Sequence, residues 1–221
     1  MGFALETVLF DLSGTLIDDF LVVWKSFCQV FEHYGQPPPS LGKFRREFKL
    51  PHESYLIENG IESGNVKEAV ELGKKTYLES AFQLGLFPDV RIVLKCLKAK
   101  GITIGIVSQT PRKLLDASLE KSGLAEFFDD KNTLSSDDTE EQKPRPEPII
   151  AAMRRINVSD GKRTVYVGDM VEDIVMAKTA GVIPVAIHRE GANYNSLEML
   201  KKSNPHRIIQ DLTELITIFH L

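Results

Sequence analysis

Four short apolar runs punctuate the chain: TVLFDL (7–12), ITIGIVS (102–108), TVYVGD (164–169) and IPVAIH (183–188). They are rich in β-branched residues, nearly continuous rather than alternating, and too short for helices. Strands covered on both faces of a parallel sheet read this way. Helical patterns separate the last three. PRKLLDASLEKSG (111–123) opens on Pro and closes on Gly, PEPIIAAMRRI (146–156) follows, and VEDIVMAKTAG (171–181) again closes on Gly, the punctuation expected at helix ends. A weaker strand, RIIQ (207–210), precedes a closing helix. Strands alternating with helices predict right-handed βαβ units and an α/β fold built on a doubly wound parallel sheet.

Residues 17–85 break that rhythm. DDFLVVWKSFCQVFEHYG has an acidic start and a Gly35 stop, and NVKEAVELGKKTYLESAFQLG begins on Asn65, a favourable N-cap, and stops at Gly85. Between them lie PPPS, the basic segment GKFRREFK and a break at Pro51. So long a helical interval without a strand, set directly after the first strand, predicts an inserted helical cap. The expected division is an α/β core of residues 1–16 and 86–221 with a cap of residues 17–85. The acidic run SSDDTEEQ (135–142) reads as a solvated loop.

Composition narrows the partners. At 221 residues the chain can bury one sizeable core, or a core plus a small accessory unit, and its formal charge of −4 argues against a general nucleic-acid or anionic-membrane binder. An anionic substrate would therefore need a local cluster of donors. Cys28 and Cys96 each sit in an apolar helical pattern, outside any metal-ligand spacing, and are expected to be buried and reduced. No apolar run approaches the ~18 residues of a membrane span. The N-terminus runs into a strand without a leader pattern. A cytoplasmic monomer or homodimer is expected.

In open α/β sheets, ligands bind beyond the carboxyl ends of the strands. Asp11 and Ser13 follow the first run; Ser108, Gln109 and Thr110 follow the second; Asp169 follows TVYVG, with Asp173 one helical turn later. Lys143 lies in the loop KPRPEP. Each alone has a plain structural reading, since an Asp can cap a turn and a single Lys is usually solvated. Together, the sheet would gather them onto one edge.

DLSGTL, VSQ, KPRPEP and VGDMVEDI, in that order, resemble the four motifs of the haloacid dehalogenase-like hydrolase superfamily. The likeness spans essentially the whole chain and is greatest to the phosphatase branch with a small helical cap, the phosphoglycolate phosphatase and β-phosphoglucomutase-like group. The resemblance implies a Mg²⁺-dependent phosphatase acting on a small phosphorylated metabolite. Asp11 would be the nucleophile and form an aspartyl-phosphate. Mg²⁺ would be held by Asp11, the backbone carbonyl of Ser13 and Asp169, with Asp173 near or through water. Ser108, with backbone N–H groups near Gln109 and Ser13, would bind the phosphoryl oxygens, and Lys143 would bind the same group and pair with Asp11 or Asp173. Metal-free dehalogenating relatives tend to lack the Asp in GD, whereas Asp169 and Asp173 are both present here.

Ser13 departs from the pattern, which normally has Asp two residues after the nucleophile to protonate the leaving alkoxide and later activate water. A serine hydroxyl is too weak an acid for that work, and general acid–base assistance is typically worth ~10²–10⁴ in rate. Three readings stay open: a hydrolase of substrates that leave easily, a phosphatase that recruits Asp18 or Asp19 as its acid, or a phosphometabolite-binding or regulatory protein with weak or no catalysis. Phosphonate-cleaving relatives also lack this Asp and use a cap lysine, for which Lys43 and Lys49 are the candidates. Lys43, Arg45 and Arg46 could instead meet a second anionic group on the substrate, or form a solvated helix face with Phe44 and Phe48 buried.

Overall fold

A computed structural model describes residues 5–80, 83–192 and 194–221. The chain enters through strand β1 (Thr7–Phe10), turns into the two-residue strand β2 (Ile17–Asp18), and then forms helices α1 (Phe20–His33), α2 (Leu41–Glu47), α3 (His52–Glu58) and α4 (Val66–Glu79). It returns through β3 (Gly85–Leu86) and continues as α5 (Val90–Ala99), β4 (Thr103–Val107), α6 (Arg112–Ser122), β5 (Thr133–Leu134), α7 (Glu147–Arg155) and β6 (Thr164–Gly168). The last part comprises α8 (Val171–Thr179), β7 (Ile183–Ile187), α9 (Leu197–Lys202), β8 (Arg207–Ile209) and α10 (Glu214–Ile218).

Six strands form one sheet in the order β5-β4-β1-β6-β7-β8, every neighbouring pair parallel. The first strand is therefore central: Phe10 is in register with Ile106 on one side and Val167 on the other. Both sheet faces are covered. Val8, Phe10, Ile104 and Ile106 pack with Val93, Leu94 and Leu97 of α5, while Leu9, Val107 and Tyr166 pack with Ile149 of α7 and Met176 of α8. That two-sided burial explains why the strands read as continuous rather than alternating apolar runs.

Helices α1 to α4 enclose a second hydrophobic cluster, formed by Phe20, Phe27, Phe31, Phe44, Tyr55 and Leu56 among others and joined by Met170 and Tyr194 from the rest of the chain. The insertion is attached through the β2–β3 ladder, in which Ile17 pairs with Leu86 and Asp18 with Gly85. No strand was expected there; two residues carry no readable periodicity, and the same holds for β5. The side chain of Asn65 makes no capping hydrogen bond, because a 3₁₀ turn over Ser63–Asn65 leads into α4 instead. The acidic residues of 135–142 are exposed, as a solvated loop requires, but one of them is also tied down. Asp138 caps the turn at Ser135 and pairs with Arg112 and Arg155, at 2.6 and 2.8 Å, and these partners hold its carboxyl well below the usual range. Cys28 and Cys96 are free but only half-buried.

Candidate active site

Backbone geometry carries Asp11 one step beyond β1, where its N–H still donates to the carbonyl of Val167 at 2.8 Å. Asp169 stands in the same relation to β6 and Asp173 lies in the first turn of α8, so two central strands and one helix bring three carboxylates to one edge. One oxygen from each of Asp11, Asp169 and Asp173 lies within 4.8 Å of the others. Lys143 joins them across 132 residues of chain: its Nζ is 2.5 Å from Asp11 Oδ1 and 2.7 Å from Asp173 Oδ1. The lysine expected to pair with one of two carboxylates pairs with both.

These groups are nearly dry. Asp169 is fully buried and Asp11, Asp173 and Lys143 are each under 9% exposed. Three carboxylates facing one ammonium leave an excess of negative charge in a site with little exposure to water. Burial pushes Asp11 up to about 7, opposed by Lys143 and reinforced by Asp173; burial and the two neighbouring carboxylates raise Asp169 well above its ordinary range. Asp173 is fully engaged, taking Lys143 and the Tyr166 hydroxyl on Oδ1 and the Met170 N–H on Oδ2. Asp169 is not: Oδ2 accepts from the Tyr194 N–H at 3.2 Å, but the buried Oδ1 has no hydrogen-bond partner. Surplus negative charge and an orphaned carboxylate oxygen among hard oxygen donors fit a small divalent cation.

Two glycines make this packing possible. Gly14 has φ +70°, and a Cβ there would stand 2.5 Å from Asp169 Oδ2; a Cβ at Gly168 would collide with the Asp173 carboxylate.

Ser13 is not idle. Its Oγ donates to Asp19 Oδ2 at 2.6 Å. The Tyr77 and Tyr194 hydroxyls also donate to Asp19, at 3.1 and 3.2 Å. Asp19 is 1% exposed, and burial pushes it up to about 6 despite the three hydroxyls. Of the two candidate acids in the linker, Asp18 is exposed on β2, while Asp19 faces Ser13. The chain brings them together by turning at Gly14, where the Gly14 N–H donates to the Ile17 carbonyl at 2.9 Å.

Asp11, Ser13, Ser108, Gln109 and Lys143 line one cavity of about 470 Å³. Ser108 follows β4, and its Oγ accepts from the Thr110 N–H at 3.2 Å and lies 3.0 Å from Thr110 Oγ1. The Gln109 side-chain oxygen is buried without a partner. Sequence reasoning missed Tyr77, Tyr166 and Tyr194, which orient carboxylates here; none belongs to a recognisable motif. It also missed the opposite wall, contributed by the helical insertion.

The basic side chains of the segment 42–49 do not line this cavity. Lys43 faces Glu47 at 3.8 Å, Lys49 pairs with Glu58 at 2.7 Å, and Arg45 donates to the Gly191 carbonyl at 2.7 Å with its guanidinium over Phe20. Phe44 and Phe48 are buried beneath it. A cap-lysine Schiff base therefore has no candidate in Lys43 or Lys49.

A parallel sheet with a carboxylate at the end of its central strand, facing a buried lysine and two further carboxylates, defines a hydrolase class, and comparison with known proteins agrees. Residues 8–187 match the haloacid dehalogenase-like hydrolase family, and the chain belongs to it. Among its relatives is the pyrophosphatase PpaX of Oceanobacillus iheyensis, 29% identical and aligned over 97% of each chain. Phosphoglycolate phosphatase of Pseudomonas savastanoi is 25% identical, over 96% of this chain and 78% of that one. A haloacid dehalogenase-like family hydrolase from Streptococcus pneumoniae shares the fold, with a TM-score of 0.84 at 20% identity over 97% and 98% of the two chains. Among the described residues, no helix is long and apolar enough to cross a membrane.

Proposed function

We propose that the chain is a Mg²⁺-dependent phosphatase of small phosphorylated metabolites, with residues 17–85 acting as its cap. The observation that carries this reading is the buried Asp11–Lys143–Asp173 chain beside the partnerless oxygen of Asp169, at the floor of a cavity large enough for a metabolite. Asp11 is the nucleophile: its carboxylate oxygen forms a bond to phosphorus as the ester P–O bond breaks, giving an aspartyl-phosphate. Water then attacks that phosphorus, releasing phosphate and restoring the Asp11 carboxylate. Lys143 and Ser108 hold the phosphoryl oxygens and offset the charge that repels an incoming carboxylate. Asp173 positions Lys143. Asp11, Asp169 and the Ser13 carbonyl would hold Mg²⁺, with Asp173 near the set; when bound, the ion would supply charge neutralisation at the transferring group.

The proton for the leaving group is the open step. Of the readings that Ser13 permits, the 2.6 Å bond to Asp19 favours a recruited carboxylate. Ser13 can give its hydroxyl proton to the leaving oxygen as it takes one from protonated Asp19, and in the second half it can take a proton from water as it returns its own to the Asp19 carboxylate. A phosphometabolite-binding role without catalysis would need neither a nucleophile at the cavity floor nor this link. Hydrolysis of p-nitrophenyl phosphate tests the reading: activity should require Mg²⁺ and vanish in Asp11→Asn. Full activity in EDTA, or most turnover kept by that variant, would overturn it.

A further inference from the structure

The wall facing the phosphoryl site is strongly apolar. Phe27, Phe48, Leu50, Leu56 and Val70, from α1, α3, α4 and the segment between α2 and α3, supply most of it. His52 lies edge-on to Phe27, with ring centroids 5.4 Å apart, and against Phe48 at the same distance. Burial lowers its pKa to about 4, so it is a neutral ring at physiological pH.

Charge is scarce on this side. Lys74 lines the cavity, but its ammonium is 2.6 Å from Glu71, and Glu53 lies nearby with the opposite sign. The four basic residues of the α2 segment are elsewhere. A second phosphate or carboxylate on a substrate would thus leave the floor and meet mostly hydrocarbon, with Lys74, already paired to Glu71, as the one cation lining that side among the described residues. An apolar leaving group would instead displace water from surfaces that hydrate poorly. The volume of about 470 Å³ lies in the range that encloses ring-sized organic ligands.

We propose that the preferred substrates are phosphate monoesters of uncharged apolar alcohols or phenols, ring-bearing or branched, and not substrates with a second anionic group beside the phosphoryl. This deepens the phosphatase reading and rests on it. It separates the chain from the pyrophosphatase and phosphoglycolate phosphatase named among its relatives. It also suits Ser13, since a phenolate leaves with less help from a proton than an alkoxide does.

Binding of uncleaved phosphonates isolates the wall from leaving-group chemistry. With Mg²⁺ present, calorimetric dissociation constants are measured for methyl-, propyl-, butyl- and benzylphosphonate and for phosphonoacetate. Affinity should rise along the apolar series by about 3- to 4-fold per buried methylene, and phosphonoacetate should bind more weakly than propylphosphonate. A flat series, or phosphonoacetate as the tightest ligand, would overturn the proposal. Val70→Lys should weaken benzylphosphonate about 10-fold or more and tighten phosphonoacetate; Leu50→Arg, in a loop, serves if that helix variant does not fold, and an unchanged ranking in a folded variant counts against the wall. The two readings fail separately. Absence of hydrolysis of every ester sinks the phosphatase and leaves the binding series standing, whereas hydrolysis led by pyrophosphate or phosphoglycolate sinks the apolar preference alone.

Discussion

The floor of the cavity and the wall opposite it are built from different materials. At the floor, Asp11 and Lys143, with Asp169 and Asp173 behind them, are buried charges fixed by one another and by the Tyr166 hydroxyl and the N–H groups of Met170 and Tyr194. On the wall, Phe27, Phe48, Leu50, Leu56 and Val70 offer area without direction. Preorganised charge lowers a barrier because it is aimed before the substrate arrives; an apolar surface cannot do that, but it can rank substrates by what they bury. Changes on the floor should therefore depress turnover of all substrates alike, and changes on the wall should reorder them.

The sharpest break is Asp11→Asn, which should cost at least ~10³ in kcat on aryl and alkyl esters equally. A loss confined to one substrate class would place Asp11 in recognition and not in chemistry. Next come Ser108→Ala and Asp169→Ala. Ser108→Ala should lower kcat by about 10²-fold with little change in the Mg²⁺ concentration needed, whereas Asp169→Ala should raise that concentration sharply. Matching metal titrations for the two would contradict the assigned roles.

A smaller effect is expected where floor meets linker. Ser13→Ala and Asp19→Asn should each slow alkyl esters by ~10-fold or more and aryl esters less, and the double variant should be no worse than the worse single one, since both break one path. Ser13→Asp should raise the alkyl-to-aryl rate ratio, with ~10²–10⁴ as a ceiling. Additive losses in the double variant would mean that Asp19 only supports the fold.

The smallest effect belongs to the wall and is read in stability. The unfolded chain protonates His52 near 6.5, but the folded chain resists until about 4, burial being the main cause, with Glu53 opposing it and Lys74 adding to it. Since the unfolded state binds more protons across that window, stability falls as pH drops through it, by no more than about 2 kcal/mol near pH 5. His52→Leu should shrink the shift in urea midpoint between neutral pH and pH 5. An undiminished shift would show that this ring is not held neutral.

The same contrast decides what could be read from the sequence. Asp11 and Asp169 were legible because each ends an apolar strand on a charge, at the sheet edge where α/β folds bind ligands. Lys143 followed from its place among the motifs. The parallel sheet followed from strands without alternation, since Val8 and Leu9 are buried on opposite faces, but its edge strand β5, two residues long, did not. The wall was not legible. Phe27, Leu56 and Val70 have the spacing of ordinary core residues, and only the packing of α1, α3 and α4 decides which of them face a cavity. Nor could the sequence choose between Asp18 and Asp19. That depends on the turn at Gly14, which leaves one exposed and buries the other against Ser13.

The proposed transfer of phosphate through Asp11 is central to all of these roles, and acid-quenched turnover tests it most directly. Protein mixed with Mg²⁺ and a rapidly cleaved aryl phosphate is quenched in acid within the first turnover, digested and analysed by mass spectrometry. A base-labile phosphoryl group is predicted on the peptide that contains Asp11, and it should be lost in Asp11→Asn. Product formed in a burst with no phosphoryl group on that peptide would contradict the assignment.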